Sequence, residues 1–438
     1  MQKIFKPVLI IIFSLGICFA SDAPNLFNVE KWVATSGMKV SFVKVPNKII
    51  NIKLIFDAGS ARDGKNYGLA ALTSSLVDAG GATLSLDQIA NSFDSVGAIY
   101  GSSISKDYAT ISLQSAVGHG YVEKAFSIFI DVIAAPNFSD KDFNRAKDQT
   151  MQSIKIMQQD PEKVAFQQFF HELYQGHPYG HLKYGSLETV KALTKKDVES
   201  FYRNYYAAAN ASLVIVGDVD ISDAKHIAAK IDEALPAGEP APVQKLAVSN
   251  GAKHKKISHS SSQSTLIFGK LGIAANNKDF FALELGSHIL GGGMKSRLSE
   301  DIREKQGLVY GVYSAFIPMK LIGPYFITMQ TKAQNTKAAD EGVHKVVDIF
   351  ISDGVTAVEL AQAKNVINGR IYNKFTTNAG IASALASQLF YNLPEDYFLT
   401  YADKINEVSL GDVNKIIKKY MSLKDSSSII VGPNEQEK

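Results

Sequence analysis

The stretch His-Glu-Leu-Tyr-Gln-Gly-His-Pro-Tyr-Gly-His, residues 171–181, gathers three imidazoles and a carboxylate into eleven positions. These residue types ligate transition metals and move protons. The spacing argues against both uses. Four residues rather than two separate Glu172 from His177, and Pro178 and Gly180 keep His177 and His181 off a shared helical face. A structural role is the reading this pattern supports. His254 and His259 flank the end of a Pro- and Gly-containing segment, and His119, His226, His288 and His344 stand alone, so satisfied or exposed rings are expected there. The serine-rich run from Ser258 has no acid–base partner beside it and reads as a polar lead-in to a strand.

A second stretch is notable for the chemistry it lacks. Residues 67–81, Tyr-Gly-Leu-Ala-Ala-Leu-Thr-Ser-Ser-Leu-Val-Asp-Ala-Gly-Gly, predict one amphipathic helix stopped by Gly80 and Gly81. Leu69, Leu72, Leu76 and Ala79 form its apolar stripe. Ala71, Ser74, Ser75 and Asp78 follow the same spacing and form a second line about a third of a turn away.

The elements that must position such residues occupy a chain of 438 residues, 46% apolar, long enough for two domains. Lys3 and Lys6 precede an apolar run from Val8 to Ala20, with Cys18 and Ala20 at the −3 and −1 positions before Ser21. That is the layout of a secretory signal peptide over 1–20, with lipidation at Cys18 the alternative. Removing it takes away two lysines and no acid, so the formal charge of +3 falls by two and gives no footprint for nucleic acid. Cys18 is the single cysteine, so a mature chain would hold no disulfide or thiol chemistry. No later stretch is apolar for long enough to make a stable membrane span, and a bacterial periplasm is the expected location.

The chain repeats itself. Asp197-Val198 and Asp412-Val413, 215 residues apart, are each followed by a tyrosine eight residues after the Asp (Tyr205, Tyr420) and by the Val of Ile-Val-Gly nineteen after it (Val216, Val431). The runs from Asn51 and Gln263 open the halves alike, and Phe143–Gln149 parallels Leu360–Val366. Residues 235–256 hold three prolines and two glycines and read as an extended surface linker. The expectation is an α+β chain of two homologous domains, 21–234 and 257–438, each a largely antiparallel β-sheet packed with α-helices.

Taken in order, Gly59-Ser60, Tyr67–Ala70, Asp160-Pro161, His177–Gly180, Ile215–Val219, Leu290–Leu298 and Arg303–Val312 resemble the pitrilysin, or insulinase, family of zinc peptidases, in its two-domain, processing-peptidase-like subgroup. In that family the first of these helices carries His-x-x-Glu-His. The two histidines bind Zn²⁺, and the Glu activates the metal-bound water, whose pKa zinc lowers to about 7. The resemblance places these residues at Ala71, Ser74 and Ser75, and a third ligand at Ser153. None is retained, so it implies a member with no metal ligand and no catalytic base of its own.

The resemblance carries further into the second half. Arg303 and Tyr310 match an Arg and a Tyr that active relatives supply to the cleft, where they hold the substrate backbone and stabilise charge on the scissile carbonyl oxygen. A permanently charged guanidinium and a phenol donor suit that task. A helix over 296–306 stopped by Gly307, followed by a strand from Leu308, would bring the two together. The plainer alternative gives Arg303 to a helix C-terminus and Tyr310 to strand packing. Gly291–Gly293 is a short match to the family's glycine-rich loop and is equally explained by a tight turn. The family's two-chain members imply a partner: a homologous zinc-bearing subunit in a heterodimer acting on peptide substrates, with zinc in the partner and no cofactor here. A self-dimer binding peptides or serving as a scaffold, and a peptidase with non-standard ligands, are the other readings.

Overall fold

The computed structural model describes residues 28–246 and 251–433. The expected signal peptide and Cys18 lie outside the described residues.

The first half is built from strands β1 Val29–Val33, β2 Lys39–Lys44, β3 Ile49–Phe56, β4 Ile99–Ile104, β5 Ala109–Ala116 and β6 Ala211–Gly217. Its helices are α1 Leu69–Ser74, α2 Leu86–Ser95, α3 Tyr121–Ala134, α4 Asp140–Gln158, α5 Pro161–Leu173, α6 Leu187–Ala192, α7 Lys195–Tyr205 and α8 Ile221–Ala234. The second half holds strands β7 His254–Ser258, β8 Gln263–Leu271, β9 Val309–Phe316, β10 Pro324–Lys332 and β11 Ser427–Gly432. Its helices are α9 Phe280–Gly291, α10 Thr336–Asp353, α11 Ala357–Lys374, α12 Asn378–Phe390, α13 Tyr401–Glu407 and α14 Leu410–Tyr420.

The strands order as β1-β2-β6-β3-β5-β4 in one sheet and β7-β11-β8-β10-β9 in the other. The last five strands of the first sheet and the whole second sheet thus share one topology. Each sheet is antiparallel except for a single parallel pair, β2 with β6 and β7 with β11. The sequence repeat has a direct structural meaning. Thr194 with Asp197 and Ser409 with Asp412 close capping boxes on two eleven-residue helices, α7 and α14, which lead into the equivalent strands β6 and β11.

One core fills each half. Phe56, Leu72, Phe129 and Ile215 belong to the first; Phe268, Leu285, Ile327 and Phe350 belong to the second. The outer face of each sheet is then covered by a helix from the other half. Phe169 and Leu173 of α5 pack on Ile267, Phe326, Ile429 and Val431 of the second sheet. Ile381, Leu385 and Phe390 of α12 pack on Val43, Ile55, Val214 and Val216 of the first. α5 and α12 are both thirteen residues long and occupy equivalent places in the repeat, so the exchange is reciprocal. Each large apolar side chain so buried is worth about 1.5–3 kcal/mol, which makes this exchange the main adhesive between the halves.

Two expectations are corrected. The helix over 67–81 is only Leu69–Ser74, and the rest continues as turns. Thr73 Oγ1 donates to Leu69 O (2.8 Å) and Ser75 Oγ to Leu72 O (2.9 Å), and such side chain-to-backbone bonds compete with a regular helical ladder. The leucine stripe survives the change, since Leu69, Leu72, Leu76 and Ala79 are all buried in the first core. The stretch expected as linker, 235–256, is extended and largely exposed over 235–246, but its end is already strand. Pro242 O accepts from Arg62 (2.7 Å), Gln244 donates to Ala61 O (2.7 Å), and β7 already begins at His254.

A partly buried ion pair links helices of the second half. Arg297 meets Glu359 through two bonds (2.7 and 2.8 Å), donates to Gly354 O (2.7 Å) and lies over the Phe350 ring. The Arg297 guanidinium, reinforced by the Thr356 amide and hydroxyl, pulls the Glu359 carboxyl down to about 2 despite partial burial. An unfolded glutamate titrates near 4.5. The pair therefore contributes in full above pH 4.5 and is lost as pH falls towards 2. Acid titration of folding, followed by circular dichroism, should show a destabilisation in that window that Glu359→Gln flattens.

Candidate functional site

The loop before α1 is fastened by its own polar groups. Asp63 accepts from Gly68 N–H (2.8 Å) and Ala70 N–H (2.7 Å), tying off the start of α1. Burial raises the Asp63 carboxyl to about 7, against the pull of those amides and of Lys106. Burial, then Lys183, lowers Lys106 to about 8.

The small-residue line lies on α1 and just beyond it. Ala71 and Ser74 are buried, Ser75 is exposed, and Asp78 is half-buried. Ser74 neighbours the buried Tyr206 phenol, and burial raises the Asp78 carboxyl with Arg145 opposing. Ser153 is exposed on α4, a helix that packs against α1. The structure thus brings the two helices together, while the side chains at the four positions are one methyl group and three hydroxymethyl groups.

The histidine-rich stretch does structural work in three separate places. Glu172, on α5, accepts from Gln168 (2.5 Å) and Gln175 (2.7 Å) and pairs with Lys255 across the halves (2.5 Å). His177 Nδ1 accepts from Tyr179 N–H (3.1 Å). His181 sets Nε2 2.8 Å from Ser60 O and Nδ1 3.0 Å from Leu182 O, of which a neutral ring donates to one, and it stacks on Tyr67 at 4.4 Å. Burial lowers the His181 imidazole below its usual range, consistent with a neutral packed ring.

In the second half, the helix expected over 296–306 is widened into a π-helical turn, Ser299–Lys305. Gln306 N–H reaches Asp301 O (3.1 Å) and Leu308 N–H reaches Ile302 O (3.0 Å), wider spans than an α-helix uses. Gly307 ends it at φ +62°, a conformation that suits glycine, and the chain enters β9. β9 pairs only with β10 and is the edge of its sheet. Tyr310 stands on this edge strand, 66% exposed, and Arg303 on the π-helical turn before it, with its side chain 40% exposed and Glu304 at 3.5 Å as its one ion-pair partner among the described residues. A glycine at 291 is required for a different reason: a side chain there would strike the backbone nitrogen of Ser314 on β9.

Sequence reasoning missed the buried polar junction between the halves. Asp57 receives Arg62 through two bonds (2.8 and 2.7 Å) and also the ammonium of Lys320. Asp107 accepts from Lys320 N–H (2.8 Å) and from the Tyr179 hydroxyl, and Tyr174 donates to Ile322 O (2.9 Å). Its members come from opposite halves of the chain, and no local spacing announces them.

Comparison with known proteins places this geometry. Residues 39–185 match the family model for insulinase (peptidase family M16), and residues 192–367 match that for the peptidase M16 inactive domain. The crystal structure of a peptidase M16 inactive domain from Pseudomonas fluorescens is similar, with a TM-score of 0.89 and 34% identity over 94% of this chain and 100% of that one. The chain belongs to peptidase family M16, the insulinase family. Among other M16-like relatives, the non-peptidase homolog YmxG of Helicobacter pylori is 24% identical over 97% of this chain and 98% of its own. A protease structure from the same organism superposes with a TM-score of 0.86 at 18% identity. A non-catalytic role fits these relationships.

The zinc ion that family M16 implies does not fit the residues present. Methyl and hydroxymethyl groups at Ala71, Ser74, Ser75 and Ser153 supply no imidazole, thiolate or carboxylate. Among the described residues, no group of three or more His, Cys, Asp or Glu side chains is placed to hold a metal ion.

Proposed function

We propose that this chain is the non-catalytic subunit of a periplasmic two-chain metallopeptidase. It pairs with a homologue that keeps His-x-x-Glu-His and lends Arg303 and Tyr310 to the shared cleft. The partner's zinc supplies the activated water. Arg303 holds the substrate backbone, and the Tyr310 phenol donates to the carbonyl oxygen as it gains charge. The observation that carries this reading is an asymmetry. The four positions of the zinc site hold only Ala and Ser, while Tyr310 stands exposed on an edge strand and Arg303, on the turn before it, has only Glu304 as an ion-pair partner among the described residues.

The test is reconstitution with the zinc-bearing homologue. An unfolded quenched-fluorescence peptide should be cleaved by the mixture far faster than by either chain alone. Equal rates with and without this chain would overturn the proposal and leave a self-dimer that binds peptides, or acts as a scaffold, as the surviving account.

A further inference from the structure

A groove of about 680 Å³ opens between α3 and α8, at the end of the first sheet where β2 and β6 finish. Its volume lies within the range of about 300–1,000 Å³ typical of ligand sites. Val122, Phe126 and Ile130 lie four residues apart along α3 and present one apolar stripe to it, joined by Val117 and Val219. All five side chains are half-buried, so the stripe is open to an incoming apolar group.

The rim is charged, and its sign is uneven. Lys44 is paired with Asp220 (2.5 Å) and also feels Asp218 and Asp223, and Lys230 is paired with Glu233 (3.0 Å), so two lysines face four lining carboxylates and negative charge is in excess. Glu123, Asp218 and Asp223 line the same opening with no ion-pair partner within 4 Å among the described residues. His226 also borders it and is exposed.

We propose that this groove is a docking site for a peptide segment that presents bulky apolar side chains flanked by lysine or arginine. The apolar stripe would take the Leu or Phe, and the unpaired carboxylates would take the flanking cations. Charge complementarity sets the class: an acidic segment with the same apolar residues would meet repulsion from three carboxylates. The groove shares no residue with Ala71, Ser74, Ser75, Ser153, Arg303 or Tyr310, so this proposal stands or falls apart from the one above.

The test uses fluorescein-labelled twelve-residue peptides with a Leu-x-x-Phe centre and either lysine or glutamate flanks, titrated by anisotropy against the full chain. The lysine-flanked peptide should bind at least tenfold tighter than the glutamate-flanked one, and the preference should shrink in 0.5 M NaCl. Phe126→Ala and the double surface variant Glu123→Lys/Asp218→Lys should each weaken it at least tenfold, while Lys337→Ala, at an 87% exposed side chain in the other half, leaves it unchanged. Absence of binding, equal binding of the two peptides, or binding untouched by both groove variants would overturn the assignment. Loss of binding in Arg303→Ala alone would place the peptide at the other site and overturn it equally.

Discussion

In the reconstituted two-chain enzyme, Tyr310→Phe and Arg303→Ala should each lower kcat by about 100-fold. That is the range found when one preorganised donor to a developing oxyanion is removed. The substitutions act on groups that are already exposed, at 66% for Tyr310 and 40% for the Arg303 side chain, so folding should survive them. Tyr310→Phe is the more discriminating, because it deletes one hydroxyl and keeps the ring. A fall in kcat with KM little changed marks an interaction made in the transition state, whereas a rise in KM alone marks substrate positioning. Unchanged kinetics in both variants would return Arg303 to its helix end and Tyr310 to strand packing.

The largest effect on stability is expected at Asp57. Its carboxylate is the shared counter-charge of Arg62, in the same half, and of Lys320, in the other. The Arg62 side chain is only 4% exposed, and among the described residues its one other hydrogen bond goes to Pro242 O. Asp57→Ala would strand that buried guanidinium, a change that costs about 3–5 kcal/mol in comparable settings. Urea denaturation of the whole chain reads it as a lower midpoint. Lys320→Ala should cost clearly less, because the Lys320 side chain is 38% exposed and water can replace part of its pairing. A loss below about 1 kcal/mol in Asp57→Ala would mean that the Arg62 guanidinium does not depend on this carboxylate, against the expectation.

The sheets and most helices were legible because each carries a local signal. The β-branched and aromatic run in Lys39–Lys44, the alternation along Ala109–Ala116, and the capping residues Ser139 and Asp160 mark elements without help from distant contacts. The repeat was legible too, since Asp197 and Asp412 do the same capping job in the two halves. What stayed hidden depends on partners far along the chain. The apolar face of α12 shows in its sequence, but periodicity cannot tell that Phe390 covers a sheet of the other half. The bond from Lys320 to Asp57 spans 263 residues. The α1 region was over-read as one helix because a leucine stripe at helical spacing is kept by a helix followed by turns. At the candidate site, the missing ligands could be read from the residue types at the positions the family resemblance assigns, whereas the π-helical turn that carries Arg303 could not.

The most direct test of the central claim is the zinc content of the purified chain. It should be equilibrated with excess Zn²⁺, desalted, and analysed by mass spectrometry for metal per polypeptide. A helix pair offering Ala71, Ser74, Ser75 and Ser153 predicts well under one tenth of an equivalent retained. One equivalent per chain, lost on substituting Ser75 and accompanied by peptide turnover that a chelator abolishes, would contradict it.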